Sequence, residues 1–160
     1  MRYFYDTEFV EDGHTSDLIS IAVVADDGRE LYLHVDGYDA GKAQAHAFVS
    51  ENVLPHVAGM PKVSRDDARE MLTGFFLLGQ EAIDLWGYFP AWDHIALMQL
   101  WGDFSKQPTW LPMRTNDVCT FAQLTNLALL GRVLDGSEHS ALADARWTRD
   151  AFNDLARRVA

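Results

Sequence analysis

Three β-type segments stand one after another at the start of the chain, joined by turns too short for anything but antiparallel pairing. Residues 1 to 9 alternate bulky and polar positions, Glu11-Asp12-Gly13 forms a turn, and Leu18 to Ala25 is an Ile- and Val-rich run suited to burial. Asp26-Asp27-Gly28-Arg29 is a second turn signal, and Leu31-Tyr32-Leu33-His34-Val35 alternates again. An antiparallel three-stranded meander is therefore expected, and the rest of the chain must be built onto its edges and faces.

After Gly37 the period changes to helical, with Ala43, Ala47 and Phe48 on one stripe before Pro55. A second helix is expected from Ser64, placed to cap it, through Leu72. Glu81 to Tyr88 reads as a strand, and Pro90 leads into a helix over Ala91 to Trp101 that turns Ile95, Met98 and Leu100 inward. Phe121 to Leu130 is apolar and helical, Gly131 and Asp135-Gly136 break it, and Ser140 caps a last helix running towards Arg158. An antiparallel start followed by alternating strands and helices predicts an α/β fold, a mixed β-sheet flanked by α-helices, in a single domain over residues 1–160.

A chain of 160 residues that is 48% hydrophobic can bury a sizeable core. Its one cysteine, Cys119, excludes an intramolecular disulfide and a cysteine-zinc cluster, so packing must hold the fold together and a reducing compartment suits it. No apolar run approaches the roughly 18 residues that a membrane span needs, and the N-terminus has no signal-peptide pattern, so no membrane partner and a cytoplasmic location are expected. The net charge of −11 argues against a protein that coats nucleic acid, which needs a basic track along the phosphates. Contact with a few nucleotides at an end remains open if cations neutralise the acidic groups.

The chemistry-bearing residues fall in three places. Asp6-Thr7-Glu8 closes the first strand, and alternation points Asp6 and Glu8 to one side and Thr7 to the other. Adjacent like charges are costly, so a divalent cation is the natural third party. In a chain with 24 acidic residues, a D-x-E triplet also arises by chance. His139 and Asp144 form an H-x4-D pair at the start of the last helix, and His34 and Asp39 have the same spacing. The alanines at 141, 143 and 145 favour the later pair, because a small-residue face lets a helix approach the sheet and bring Asp144 towards Asp6. Asp93 opens the helix after Pro90, where it can cap or serve a site; Asp84 and Asp103 flank the same region.

An acidic pair on strand one, an aspartate opening a central helix and H-x4-D opening the last helix, in that order, resemble the DEDDh exonucleases of the ribonuclease H-like superfamily over essentially the whole chain. No tyrosine stands before Asp144 where the Y-x3-D branch would place one, which indicates the histidine branch. Within it, Tyr5-Asp6-Thr7-Glu8-Phe9-Val10-Glu11-Asp12-Gly13 with His139-Ser140-Ala141-Leu142-Ala143-Asp144 looks like the small actinobacterial polyadenylate-specific 3′-exoribonucleases. The resemblance implies a ribonuclease H-like sheet and 3′-to-5′ hydrolysis of single-stranded RNA from its 3′ end, A-rich RNA included. It further implies two magnesium or manganese ions held by Asp6, Glu8, Asp93 and Asp144, with His139 as general base, and a homodimer. It places His14 and Thr15 where the terminal nucleotide is held. Thr7, Phe9 and Trp92 are further candidate substrate contacts: a turn after Glu8 could swing the Phe9 ring over a terminal base although alternation points it away from Glu8, and for Phe9 and Trp92, as for Trp86, filling a core gap is the more ordinary role.

The alternatives are a DNA or short-oligonucleotide exonuclease of the same family and an idle ribonuclease H-like interaction module, whose mark would be a lost carboxylate. An aspartate-nucleophile phosphatase would need D-x-D, and Glu8 stands at its second acidic position.

Overall fold

The three opening segments become the centre of a six-stranded sheet. β1 (Arg2–Glu11), β2 (Ser16–Ala25) and β3 (Glu30–Val35) pair antiparallel, and the strand order is β4-β3-β2-β1-β5-β6. A computed structural model gives this architecture and describes residues 1–79, 81–132 and 135–160. β4 (Lys62–Val63) lies parallel to β3 on one edge, while β5 (Asp84–Gly87) lies parallel to β1 and β6 (Asn116–Asp117) parallel to β5 on the other. Helices α1 (Ala40–Ala45), α2 (Ala47–Asn52), α3 (Leu54–Val57), α4 (Arg65–Leu77), α5 (Ala91–Met98), α6 (Val118–Thr125) and α7 (Ala141–Val159) cover both faces. This is a ribonuclease H-like α/β arrangement, as expected. Among the described residues, no helix is long and apolar enough to cross a membrane.

Side-chain alternation along β1 divides the core. Tyr3 and Tyr5 join Ile21 and Val23 of β2 beneath Ala68, Leu72 and Phe76 of α4 and Ala96 and Leu97 of α5. Phe4, one residue out of phase, joins Ala22 and Val24 against Ala141, Ala145, Phe152 and Leu155 of α7 and Val118 and Ala122 of α6. Burying a side chain such as Phe4 stabilises the fold by about 2 kcal/mol. Ala141 and Ala145 are fully buried, so α7 does lie close on the sheet. On β2 a register shift leaves Ile19 between the Glu8–Ser20 and Phe9–Leu18 pairs. That bulge lets Ile19 join Val10 under Ala43, Val49 and Val53.

Four expectations change. The stripe of Ala43, Ala47 and Phe48 breaks because His46 is extended (φ −79, ψ 106) and its Nδ1 accepts the Val49 N–H. The helix restarts in a new register that buries Ala43 and Val49 and leaves Phe48 exposed. The strand expected over 81–88 shortens to β5, because a Cβ on Gly87 would lie 2.6 Å from Pro90 Cβ and the chain turns there. The helix over 91–101 tightens to 3-10 form at Gln99, and Ile95 faces outward while Ala96 and Leu97 are buried. The apolar helix expected over 121–130 begins earlier, at Val118, where the Asp117 carboxylate accepts the Cys119 and Thr120 N–H groups; left-handed Asn126 (φ 55) ends it, so Leu127 to Leu130 are not helical.

Candidate active site

β1 outruns its neighbour on one side. β5 pairs only with Arg2 to Phe4, so the edge of β1 beyond Phe4 is open towards α5. Asp93, in the first turn of α5, fills that edge: its Oδ1 accepts the Thr7 N–H at 2.9 Å and the Thr7 hydroxyl at 2.6 Å. Thr7 and Asp93 are both buried, so this carboxylate is anchored by two donors where water is largely excluded.

Asp6 and Glu8 project to the opposite face, towards the start of α7. Ser140 holds the N-cap position there, but its side chain makes no capping bond. The turn is closed by Asp144, whose Oδ2 accepts the His139 N–H at 3.2 Å while His139 adopts a left-handed backbone (φ 64). Ligand atoms of Glu8, His139 and Asp144 lie within 4.8 Å of one another. Phe48 packs edge-on against the His139 ring at 4.7 Å, and His56 Nε2 lies 3.1 Å from the Glu138 carbonyl, so α2 and α3 support the histidine loop.

The electrostatics mark a deficit of positive charge. Burial, then the neighbouring Asp93, Glu8 and Asp144 carboxylates, hold Asp6 well above the usual carboxylate range. Glu8 is pushed up to about 9 by burial and by Asp144 and Asp93. Asp93 and Asp144 are raised by burial, with Thr7 opposing the shift at Asp93 and Arg132 opposing it at Asp144. Four converging carboxylates form an oxygen-rich donor set of the kind that suits hard divalent cations, and a bound cation would relieve this penalty.

The five residues of the sequence motifs thus come together from β1, α5 and the start of α7. The rival acids lie elsewhere: Asp84 lies opposite Arg2 in the β1–β5 ladder, at the far end of β5, and accepts from Trp86 and Asn116, and Asp103 is exposed and accepts from Ser105. His34 is buried on β3 with its Nε2 3.1 Å from the Tyr38 hydroxyl, and Asp39 caps α1. Phe9 lies beside Trp92, ring centroids 6.2 Å apart. Trp92, His14 and Thr15 line a cavity of about 360 Å³ with Ile95 and Gln99, and Asp12 shapes its rim by accepting the His14 and Thr15 N–H groups. Trp86 instead packs between Phe121 and Phe152 in the core. Thr7 faces Asp93 and is not among the residues lining that cavity.

Arg132, which follows Gly131 at the end of the apolar segment, also belongs to the cluster. Its Nη1 donates to Asp144 Oδ1 at 2.9 Å, and its guanidinium lies over Trp147 and Tyr88. No periodicity flags such a loop residue; a lone arginine between a break and an H-x4-D motif is the only signal. Phe48 was missed for a related reason, since its place against His139 depends on the break at His46.

Residues 1–155 match the family model described as the 3′-5′ exoribonuclease Rv2179c-like domain. Two Mycobacterium tuberculosis proteins, 3′-5′ exoribonuclease Rv2179c of strain H37Rv and 3′-5′ exoribonuclease MT2234.1 of strain CDC 1551, are each 44% identical to the chain over 122 residues. The match covers 74% of this chain and 71% of each relative.

Proposed function

The chain belongs to the Rv2179c-like 3′-5′ exoribonuclease family and is a phosphodiester hydrolase, and from that premise we propose that it removes nucleotides from the 3′ end of single-stranded RNA at the carboxylate cluster of β1, α5 and α7. The observation that carries this reading is the convergence of Glu8, His139 and Asp144 ligand atoms within 4.8 Å beside Asp6 and Asp93. Asp6, Glu8, Asp93 and Asp144 would hold two magnesium or manganese ions, leaving the imidazole free for proton transfer. Bound there, the ions supply charge neutralisation for the attacking and leaving oxygens of an in-line displacement.

The chain's own groups do the rest. His139 accepts the proton of the attacking water at its imidazole. Asp144 fixes the backbone that presents this ring, and Thr7 fixes Asp93. The phosphorus bond to the 3′-oxygen of the penultimate nucleotide breaks, that oxygen is protonated, and a nucleoside 5′-monophosphate leaves. Trp92 and Phe9 beside His14 and Thr15 offer the terminal base an aromatic face at the cavity edge. The likeness of Tyr5 to Gly13 and His139 to Asp144 to polyadenylate-specific enzymes supports A-rich RNA as the preferred substrate, and the cluster itself would serve a DNA strand equally.

The test is degradation of 5′-labelled single-stranded RNA with magnesium, manganese or EDTA, with Asp6→Ala and His139→Ala proteins alongside. A metal-dependent ladder shortening from the 3′ end, absent in both variants, is expected, and A-rich RNA should shorten faster than mixed RNA or DNA. Shortening that persists in EDTA or in Asp6→Ala would overturn the assignment of this cluster.

A further inference from the structure

Arg132 has surroundings that the fold alone does not require. Its guanidinium carbon lies 4.3 Å from the Trp147 ring centroid and 4.9 Å from that of Tyr88, and the two rings meet edge to face at 5.0 Å. Trp147 sits on α7 one turn beyond Asp144, so a single helix supplies both the carboxylate that the arginine pairs with and one wall of its cage. Aromatic faces attract a cation independently of any carboxylate, and a guanidinium stacks on them readily. Nη1 donates to Oδ1 of Asp144, a carboxylate that the proposed function assigns to a metal ion. Nε is buried and has no hydrogen-bond partner among the described residues. The positive charge of Arg132 lies near enough to Asp6, Glu8 and Asp144 to act on all three, so it acts on the cluster as a whole.

We propose that Arg132 is a resident countercation of the carboxylate cluster: a divalent ion must displace it from Asp144, and the caged guanidinium then pairs with a phosphate oxygen of the RNA. The inference rests on the metal-site reading above. Its two halves share one physical cause. Without divalent ions, four carboxylates converge and Arg132 offsets part of their repulsion, which makes it a competitor for the cation. Once Asp144 is taken, the cage holds the guanidinium at the edge of the cluster with its planar fork of donors released, the geometry that suits phosphate. On a chain of net charge −11, a cation fixed at the reaction centre also answers the repulsion an incoming phosphate would meet.

The two halves predict changes of opposite sign. Arg132→Met keeps the bulk between Tyr88 and Trp147 and removes the charge. Manganese affinity without RNA, read by titration calorimetry, should tighten roughly three- to tenfold, as expected when a partly exposed competing ion pair is removed. KM for a short RNA at saturating manganese should rise about tenfold, the usual scale for a lost charge-assisted hydrogen bond to phosphate. Arg132→Lys, which retains the charge and loses the fork, should restore wild-type manganese affinity without restoring KM. A residue that merely braces the loop would weaken or leave unchanged the metal affinity, and that result in Arg132→Met overturns the countercation role. An unchanged KM overturns the phosphate role. If the wild-type protein takes up no manganese, the metal-site reading itself falls, and this inference with it.

Discussion

His34 and Asp39 are separated by the same spacing as His139 and Asp144, and each aspartate sits at a helix start. Around them the two regions differ. His34 is a strand residue whose imidazole meets a tyrosine hydroxyl, and Asp39 spends its Oδ1 on the Lys42 N–H as an ordinary N-cap. His139 sits in a left-handed turn, and Asp144 lies inside the first turn of α7, buried and facing the carboxylates of β1. The histidine comes before the helix in one pair and within a sheet in the other. Spacing along the chain is therefore the weaker half of the signal, and the element that carries each residue decides whether the pair can share a site.

Exchanging the two aspartates for asparagine gives the sharpest separation. Asp144→Asn should lower exonuclease activity by roughly 10³-fold or more, the scale of losing a charged ligand from a catalytic metal site. Removing one of several crowded carboxylates should at the same time raise the melting temperature of the metal-free protein. Asp39→Asn should leave activity intact, since asparagine caps nearly as well as aspartate. Comparable loss of activity in both variants, measured on the same labelled RNA, would erase the distinction drawn between the regions.

The histidines should separate along a different axis. His139→Gln is expected to lower kcat by about 10²- to 10³-fold, the contribution of a positioned general base, with manganese affinity nearly unchanged because the metal site retains its carboxylates. His34→Gln should cost about 1 kcal/mol of stability through the altered buried contact with Tyr38 and leave kcat where it was. Full activity in His139→Gln, or a collapse of kcat in His34→Gln, would reverse the assignment.

How far these regions could be told apart in advance depended on what each local pattern encodes. Strand alternation placed Asp6 and Glu8 on one face and Thr7 on the other, and the alanines at 141 and 145 foretold the close approach of α7; both are short-range properties of a regular element. The anchoring of Asp93 was not readable, because it depends on β5 stopping short of Thr7, a consequence of the tight turn at Gly87. β4 and β6 are two residues long, below the length at which alternation carries information. Arg132 escaped because its partners come from elsewhere in the chain, Asp144 and Trp147 from α7 and Tyr88 from the turn after β5. Phe48 escaped because His46 breaks a helix that its neighbours' propensities would have continued.

Proton uptake offers a measure of the contrast that needs no mutation. Glu8 ionises near 4.5 in an unfolded chain and is pushed up to about 9 in the folded one, and the other three carboxylates shift in the same direction. Between those values the folded state holds protons that the unfolded state has released, so this stabilising contribution is complete below about pH 4.5 and is lost as the pH rises towards 9. The metal-free protein should melt at a lower temperature at pH 8.5 than at pH 6. Saturating manganese should flatten or reverse that slope, because it binds the deprotonated cluster. A metal-free melting temperature that climbs steadily over the same range would mean that the carboxylates are ionised and satisfied without cations.

The smallest effect belongs to the cap. Asp39→Ala removes the side-chain acceptor of the Lys42 N–H, and the loss of such a cap costs about 1 kcal/mol. α1 is a short helix whose only buried residue is Ala43, so fraying at its start can be absorbed locally. α1 and α2 meet at His46, however, and Phe48 of α2 supports the ring of His139. If the two regions are energetically separate, Asp39→Ala should lower the melting temperature by a few degrees and leave kcat and its pH profile unchanged. A shift in kcat as large as the shift in stability would show that α1 and α2 transmit strain to the histidine loop, joining the two H-x4-D regions through Phe48.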